Sequence, residues 1–320
     1  MNYIQQAFKV QHDWWRYLLG LAISIMGVIV FSMPHALAIF YKDFKGEADM
    51  VRMDDINFIM TLFDPNTNLV FLLLTFAGGL VFLLAAVKIV NRQSFKSLTT
   101  ARSKIDWKRV FTIFFFWGIF SSGMVLLDYF MFSENYVYNF QLQPFLILCV
   151  IAIIMVPLQT SFEEFLFRGY LMQGIGIIAK NKWLPLLVTS TVFGLLHISN
   201  PEVEKLGYII MFYYIGTGFF LGIMTLMDEG LELAIGFHAA NNLFTALLVT
   251  ADWTAFQTYS VFKDISDPTE ATFATIFVPV FVIFPILLLI LGRIYKWKDW
   301  KGKLLGSVEE LPKEDYKVLE

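Results

Sequence analysis

Glu163, Glu164 and Arg168 are the residues in this chain whose types and spacing are best suited to chemistry. They lie in the stretch SFEEFLFRGY, residues 161–170, inside a segment that is otherwise apolar from about residue 145 to 178. Ionised groups in hydrocarbon are costly, so charges at this depth face a bundle interior or a water-filled cavity. On a helix Glu164 and Arg168 share a face, with the acid N-terminal to the base. Glu163 points about 100° away from Glu164. One carboxylate can then pair with the guanidinium while its neighbour takes up a proton. The competing reading is a structural ion pair that holds helices together.

Two of the four histidines fall in apolar segments that also carry unusual polar patterns. His197 closes FGLLH at 193–197, and His238 opens HAANN at 238–242. His238 and Asn242 are four apart and share a helical face. Ala239 and Ala240 between them let another helix approach closely. Hydrolysis of a peptide bond without a nucleophilic side chain needs a base for water and donors for the tetrahedral oxyanion. A glutamate supplies the first, and a histidine and an amide on one face supply the second. Cys149 and the serines sit in no motif of a covalent nucleophile. Two histidines and a glutamate are also a zinc ligand set. His-Glu-x-x-His spacing is absent, however, and asparagine is a poor zinc ligand. The spacing therefore favours a mechanism with no cofactor, and zinc stays open as the alternative.

Those residues must be positioned by membrane helices. The 320 residues are 57% hydrophobic and only 16% charged, with 34 Phe, whereas soluble domains run to roughly 25% charged. The mean hydropathy is +0.63. The expected fold is all-α, a polytopic transmembrane helix bundle of about eight spans. They fall near 17–40, 68–90, 110–132, 142–179, 183–198, 206–227, 231–249 and 272–294. The fourth is longer than a crossing needs, so it tilts, breaks near Pro157 or projects beyond the bilayer. His35, beside Pro34 at the end of the first span, reads as incidental. Gly218 and Gly222 fit a small-xxx-small contact between helices.

Loops 88–109, 180–182 and 293–303 hold the clustered Lys and Arg, while 41–66, 133–141, 199–205 and 250–269 do not. With about eight spans all basic loops fall on one side, which places both termini in the cytoplasm of a multi-pass cell-membrane protein. The acidic turn 228–230 breaks this pattern. At 1.5 Å per residue from that side, Glu163 lies roughly 24 Å along its helix, His197 roughly 21 Å and Asn242 roughly 17 Å. Separate spans can therefore converge on one cavity. The partners this implies are the lipid bilayer and a membrane protein or peptide substrate. A net charge of -3 without a basic patch argues against nucleic acid. Neither an oligomeric state nor a redox compartment is legible.

Glu163-Glu164-xxx-Arg168, Phe193-xxx-His197 and His238-xxx-Asn242, in this order on successive spans, resemble the signature motifs of the CPBP intramembrane proteases. That family includes the type II CAAX prenyl endopeptidases and the Abi or bacteriocin-immunity proteins. The resemblance divides the chain into N-terminal transmembrane helices at 1–141, a protease core at 142–250, and a last span with a charged tail at 251–320. It implies an intramembrane endopeptidase in which Glu163 activates water with Glu164 as its partner. Arg168 would be structural, His197 would assist Glu163, and His238 with Asn242 would stabilise the oxyanion. A prenylated, CAAX-like C-terminus is the family-level substrate. A non-catalytic protein of the immunity type is the rival.

Overall fold

The computed structural model describes residues 2–48, 56–268 and 273–310. Asp49, Arg52, Asp54 and Asp55 of the first loop, the start of the last expected span and the charged end at 311–320 lie outside the described residues.

The molecule is a helical membrane bundle. The main helices are α1 (Trp14–Phe44), α2 (Pro65–Ile89), α3 (Trp107–Met131), α4 (Leu142–Glu164), α5 (Met172–Ala179), α6 (Trp183–Leu195), α7 (Met211–Asp228), α8 (Glu232–Leu248) and α9 (Phe284–Ile294). Local chemistry sets their starts. Asp64 caps α2 by accepting from the backbone N–H groups of Asn66 and Thr67, with Pro65 in the first turn. Asp106 accepts from Lys108 N at 3.1 Å to start α3.

Among the described residues, six helical stretches are long and apolar enough to cross a bilayer: Trp14–Phe44, Pro65–Ile89, Trp107–Met131, Leu142–Ala179, Tyr208–Asp228 and Thr275–Ile294. In the first, only 22% of the apolar window is buried in protein, so most of that surface faces outward to lipid. The expected fifth and seventh spans are shorter. Helix α6 has 13 residues and α8 has 17. Thirteen residues rise only about 20 Å, less than a hydrocarbon core of about 30 Å. Helix α6 is therefore too short to cross the hydrocarbon core as one regular helix.

The long fourth segment does not break at Pro157. Helix α4 runs through it, and Thr160 Oγ1 donates back to Val156 O at 3.1 Å. The irregularity comes just after the paired glutamates, where Phe165–Leu171 forms a π-helical stretch before α5 resumes the regular helix. Such bulges are often found at functional sites.

Close helix approach is set at two glycines. A side chain at Gly218 of α7 would come within 2.5 Å of Ser190 O in α6, and one at Gly236 of α8 within 2.3 Å of Val110 O in α3. His35 lies flat against Phe71, ring centroids 4.9 Å apart, as a packing residue.

The two ends of the bundle are built differently. At one end the basic loops close around the acidic turn that looked out of place. Asp228 accepts from Arg102 Nη2 at 2.7 Å, Arg109 Nη1 at 2.5 Å and Trp297 Nε1 at 3.0 Å. Glu229 pairs with Lys303, and the buried Glu232 pairs with Arg102 at 3.0 Å. Backbone bonds lace the same end: Leu231 N donates to Thr99 O at 2.8 Å, and Val308 N to Lys180 O at 2.9 Å. The acidic turn is thus the counter-charge of the basic face.

At the other end, loops expected to be irregular form a small sheet. Strands β1 (Tyr136–Tyr138), β2 (Val249–Thr250) and β3 (Phe262–Asp264) run in the order β1-β3-β2. β1 is antiparallel to β3, with Tyr136 opposite Asp264, and β2 is parallel to it. The Tyr-Val-Tyr of β1 has the aromatic and β-branched composition that suits a strand.

Candidate active site

Glu163 and Glu164 end helix α4 and are buried, at 8% and 0% exposure. The helical offset separates their surroundings. Glu164 Oε1 accepts from Arg168 Nη1 at 3.0 Å, as the four-residue spacing predicts. Arg168, itself 0% exposed, also donates from Nη2 to Gly218 O at 3.2 Å and lies over the Phe193 ring, 4.1 Å from its centroid. The same glycine makes the close contact between α6 and α7.

His238 enters from α8 and stands between the carboxylates. Its Nδ1–H donates to Glu164 Oε1 at 2.8 Å, since a carboxylate only accepts. Its Nε2 lies 3.5 Å from Glu163 Oε2. That Oε2 is buried without a hydrogen-bond partner. Glu163 Oε1 is held by Gln159 Nε2 at 2.6 Å, one turn back on α4. Gln159 Oε1 in turn accepts from Asn242 Nδ2 at 3.1 Å, and Asn242 Nδ2 lies 3.5 Å from His238 Nε2. Four side chains from α4 and α8 therefore close a polar ring around the free oxygen of Glu163.

His197 stands apart from this ring. It sits on the turn after α6, not within the helix. Its Nδ1 bonds Phe193 O at 2.9 Å, and its ring stacks on Tyr214, centroids 4.3 Å apart. The Phe193 ring separates it from His238, with centroids 5.1 Å from His197 and 6.0 Å from His238. No direct hydrogen bond joins the two histidines.

The structure thus brings Glu163, Glu164, Arg168, His238 and Asn242 into direct contact and sets His197 one aromatic ring away. Two participants were passed over in the sequence. Gln159 stands four residues before Glu163 in an apolar run, so its spacing was visible. Tyr214 has no sequence signal, because its partner comes from another helix. No acidic residue lies within a helical turn of His238 in sequence, and it is Glu164 of a different helix that occupies its Nδ1.

Among the described residues, no group of three or more His, Cys, Asp or Glu side chains is arranged to hold a metal ion. His238 turns one ring nitrogen to each glutamate, and His197 lies beyond Phe193.

The family model described as Type II CAAX prenyl endopeptidase Rce1-like matches residues 142–244, the stretch that holds every residue of the cluster. Over that stretch the chain is similar to the Rce1-like family. It is also similar to "Uncharacterized protein YyaK" of Bacillus subtilis (strain 168), at 26% identity over 251 residues, which cover 78% of this chain and 83% of that protein. No solved structure matches.

Proposed function

We propose that this chain is an intramembrane endopeptidase that hydrolyses a peptide bond of a membrane-associated substrate by glutamate-activated water, with a CAAX-like, prenylated C-terminus as the substrate class. The observation that carries this reading is the different charge pairing of two buried carboxylates. Each keeps an unpartnered Oε2, but Glu164 Oε1 is tied to the Arg168 guanidinium and to His238, while Glu163 Oε1 meets only the neutral Gln159 amide and its Oε2 lies beside His238 Nε2.

In this reading Glu163 Oε2 takes a proton from water as the water oxygen bonds to the peptide carbonyl carbon. His197 Nε2, whose other ring nitrogen is held by Phe193 O, orients that water. The second amide hydrogen of Asn242 and a protonated His238 Nε2 stabilise the oxyanion. Glu164, accepting from Nδ1–H, orients the His238 ring and supplies the counter-charge when both ring nitrogens carry protons. Collapse breaks the C–N bond, and Glu163 returns its proton to the leaving amine. The donor set favours this route without a resident metal.

The rival is a non-catalytic protein in which the same cluster only binds helices together. Purified protein in lipid nanodiscs, tested on a membrane-anchored peptide library, decides between them. Wild-type cleavage that disappears in a folded Glu163→Gln variant supports the protease. Equal cleavage by both, or none by either, refutes it. We also propose that both termini face the cytoplasm of the cell membrane. Cysteine labelling in intact cells should find positions 96 and 104 protected from a reagent that does not cross the membrane. Labelling there would invert the topology.

A further inference from the structure

Gln159 is 4% exposed and spends both ends of its carboxamide on groups with separate tasks. Its Nε2 donates to Glu163 Oε1 at 2.6 Å, and its Oε1 accepts from Asn242 Nδ2 at 3.1 Å. The chain continues outward. Asn242 Oδ1 accepts from Asn241 Nδ2 at 3.2 Å, and Asn241 Oδ1 accepts from Trp117 Nε1 at 3.1 Å. An indole N–H can only donate, and an ionised carboxylate can only accept. These two ends fix the direction of every amide between them. Each donor points toward Glu163, and such aligned bonds polarise one another.

This polarity has consequences for the reaction. With Oε1 committed to Gln159, the oxygen left to Glu163 for proton transfer is Oε2, the one facing His238. With Asn242 Oδ1 turned to Asn241, Asn242 presents its N–H groups to the site and not its carbonyl. An amide relay carries no net proton, so it can orient the base without competing for the proton.

We propose that Gln159 is a positioning residue that holds the proposed base Glu163 and the proposed oxyanion donor Asn242 in one frame, an inference that rests on the protease reading above. The alternative is that Gln159 merely fills polar space between α4 and α8.

The test is the pH profile of kcat for wild type, Gln159→Glu and Gln159→Leu in nanodiscs, with Glu163→Gln as the inactive control. Gln159→Glu is isosteric and still accepts from Asn242, but it sets a second carboxyl against Glu163. Two carboxyls in such contact share a proton, and the pair titrates at raised pH. The charged and titratable groups facing Glu163 are otherwise unchanged: Glu164 and Arg168 on the same segment, His238 from α8 and His197 from the turn after α6. The acid limb of kcat should therefore move up by about one pH unit or more, with KM little altered. Gln159→Leu should lower kcat on the order of 10- to 100-fold, again with little change in KM and with folding retained in gel filtration. An acid limb in Gln159→Glu that overlays wild type would overturn the positioning role while the protease reading stands. A wild-type protein with no cleavage would overturn the protease reading itself.

Discussion

Arg168→Lys is the substitution whose effect follows most directly from the geometry. The guanidinium is fully buried and makes three contacts: Glu164 Oε1 at 3.0 Å, Gly218 O at 3.2 Å and the Phe193 face at 4.1 Å. Lysine keeps the charge but has no planar fork. From the same backbone position its ammonium can keep the pair with Glu164, and it then loses Gly218 O and the stacking. A hydrogen bond to a charged group contributes about 1.5–3 kcal/mol. A desolvated cation on an aromatic face adds about 0.5–2 kcal/mol. Arg168→Lys should therefore destabilise the fold by about 2–5 kcal/mol. Glu164→Gln should cost about 3–5 kcal/mol, because it strips a buried guanidinium of its counter-charge. Thermal unfolding in detergent, followed by tryptophan fluorescence, measures both, and turnover is counted per folded molecule. We expect Arg168→Lys to melt early yet to retain most of its turnover once folded. Unchanged melting with abolished turnover would refute this account and make Arg168 a direct participant in catalysis.

Asp228→Asn keeps the shape of the acidic turn but removes the charge shared by Arg102 and Arg109. It should cost about 2–3 kcal/mol, less than a fully buried pair because both guanidiniums are partly in solvent; a wild-type melting curve would show that the turn is not a clasp. Burial raises the Glu202 carboxyl above its ordinary range. The folded state thus holds that proton more tightly than the unfolded chain, and the stability it brings is complete below the ordinary carboxylate range and lost as pH rises through the raised value. Glu202 Oε1 accepts from Ala255 N at 2.8 Å, so corrected amide exchange at 251–258 should be slower at about pH 5 than at about pH 8, a difference that Glu202→Gln should abolish; equal exchange would break that link. Exhaustively chelated protein should keep its turnover, and loss that stoichiometric zinc restores while magnesium does not would move water activation to a metal.

The features legible in the sequence are those governed by short spacing. The helical bundle followed from long apolar runs, and the Glu164–Arg168 pair from a four-residue offset. Contacts between helices were hidden. Glu164 reaches His238 across 74 residues, and Tyr214 meets His197 beside the point where Gly194 lets α6 lie against Ile215 of α7. Span lengths were overestimated at His197. Hydropathy runs smoothly through Leu195, Leu196 and Ile198, yet the helix ends at Leu195. The π-helical turn after Glu164 has no hydropathy signal at all. Loops 133–141 and 250–269 were expected as polar connections because each of their strands is three residues or fewer, too short for an alternating pattern to register.

The anchoring of α8 explains why one wall of the site can be preorganised. At its start Glu232 is held by Arg102 Nη1, and its Oε1 accepts from Asp106 N at 3.2 Å. In its middle Gly236 lies against Val110 O and Asn241 accepts from Trp117. At its end the chain passes straight into β2, which pairs with β3. His238 and Asn242 thus sit on a helix fixed at three levels, facing α4. Side chains locked in this way need little reorganisation when charge develops beside them. His197 has no such anchorage. It stands on a turn between exposed Leu196 and Ile198, held by Phe193 O and the Tyr214 ring. The wall formed by α4 and α8 is therefore fixed, and the His197 turn is the less anchored side of the cluster.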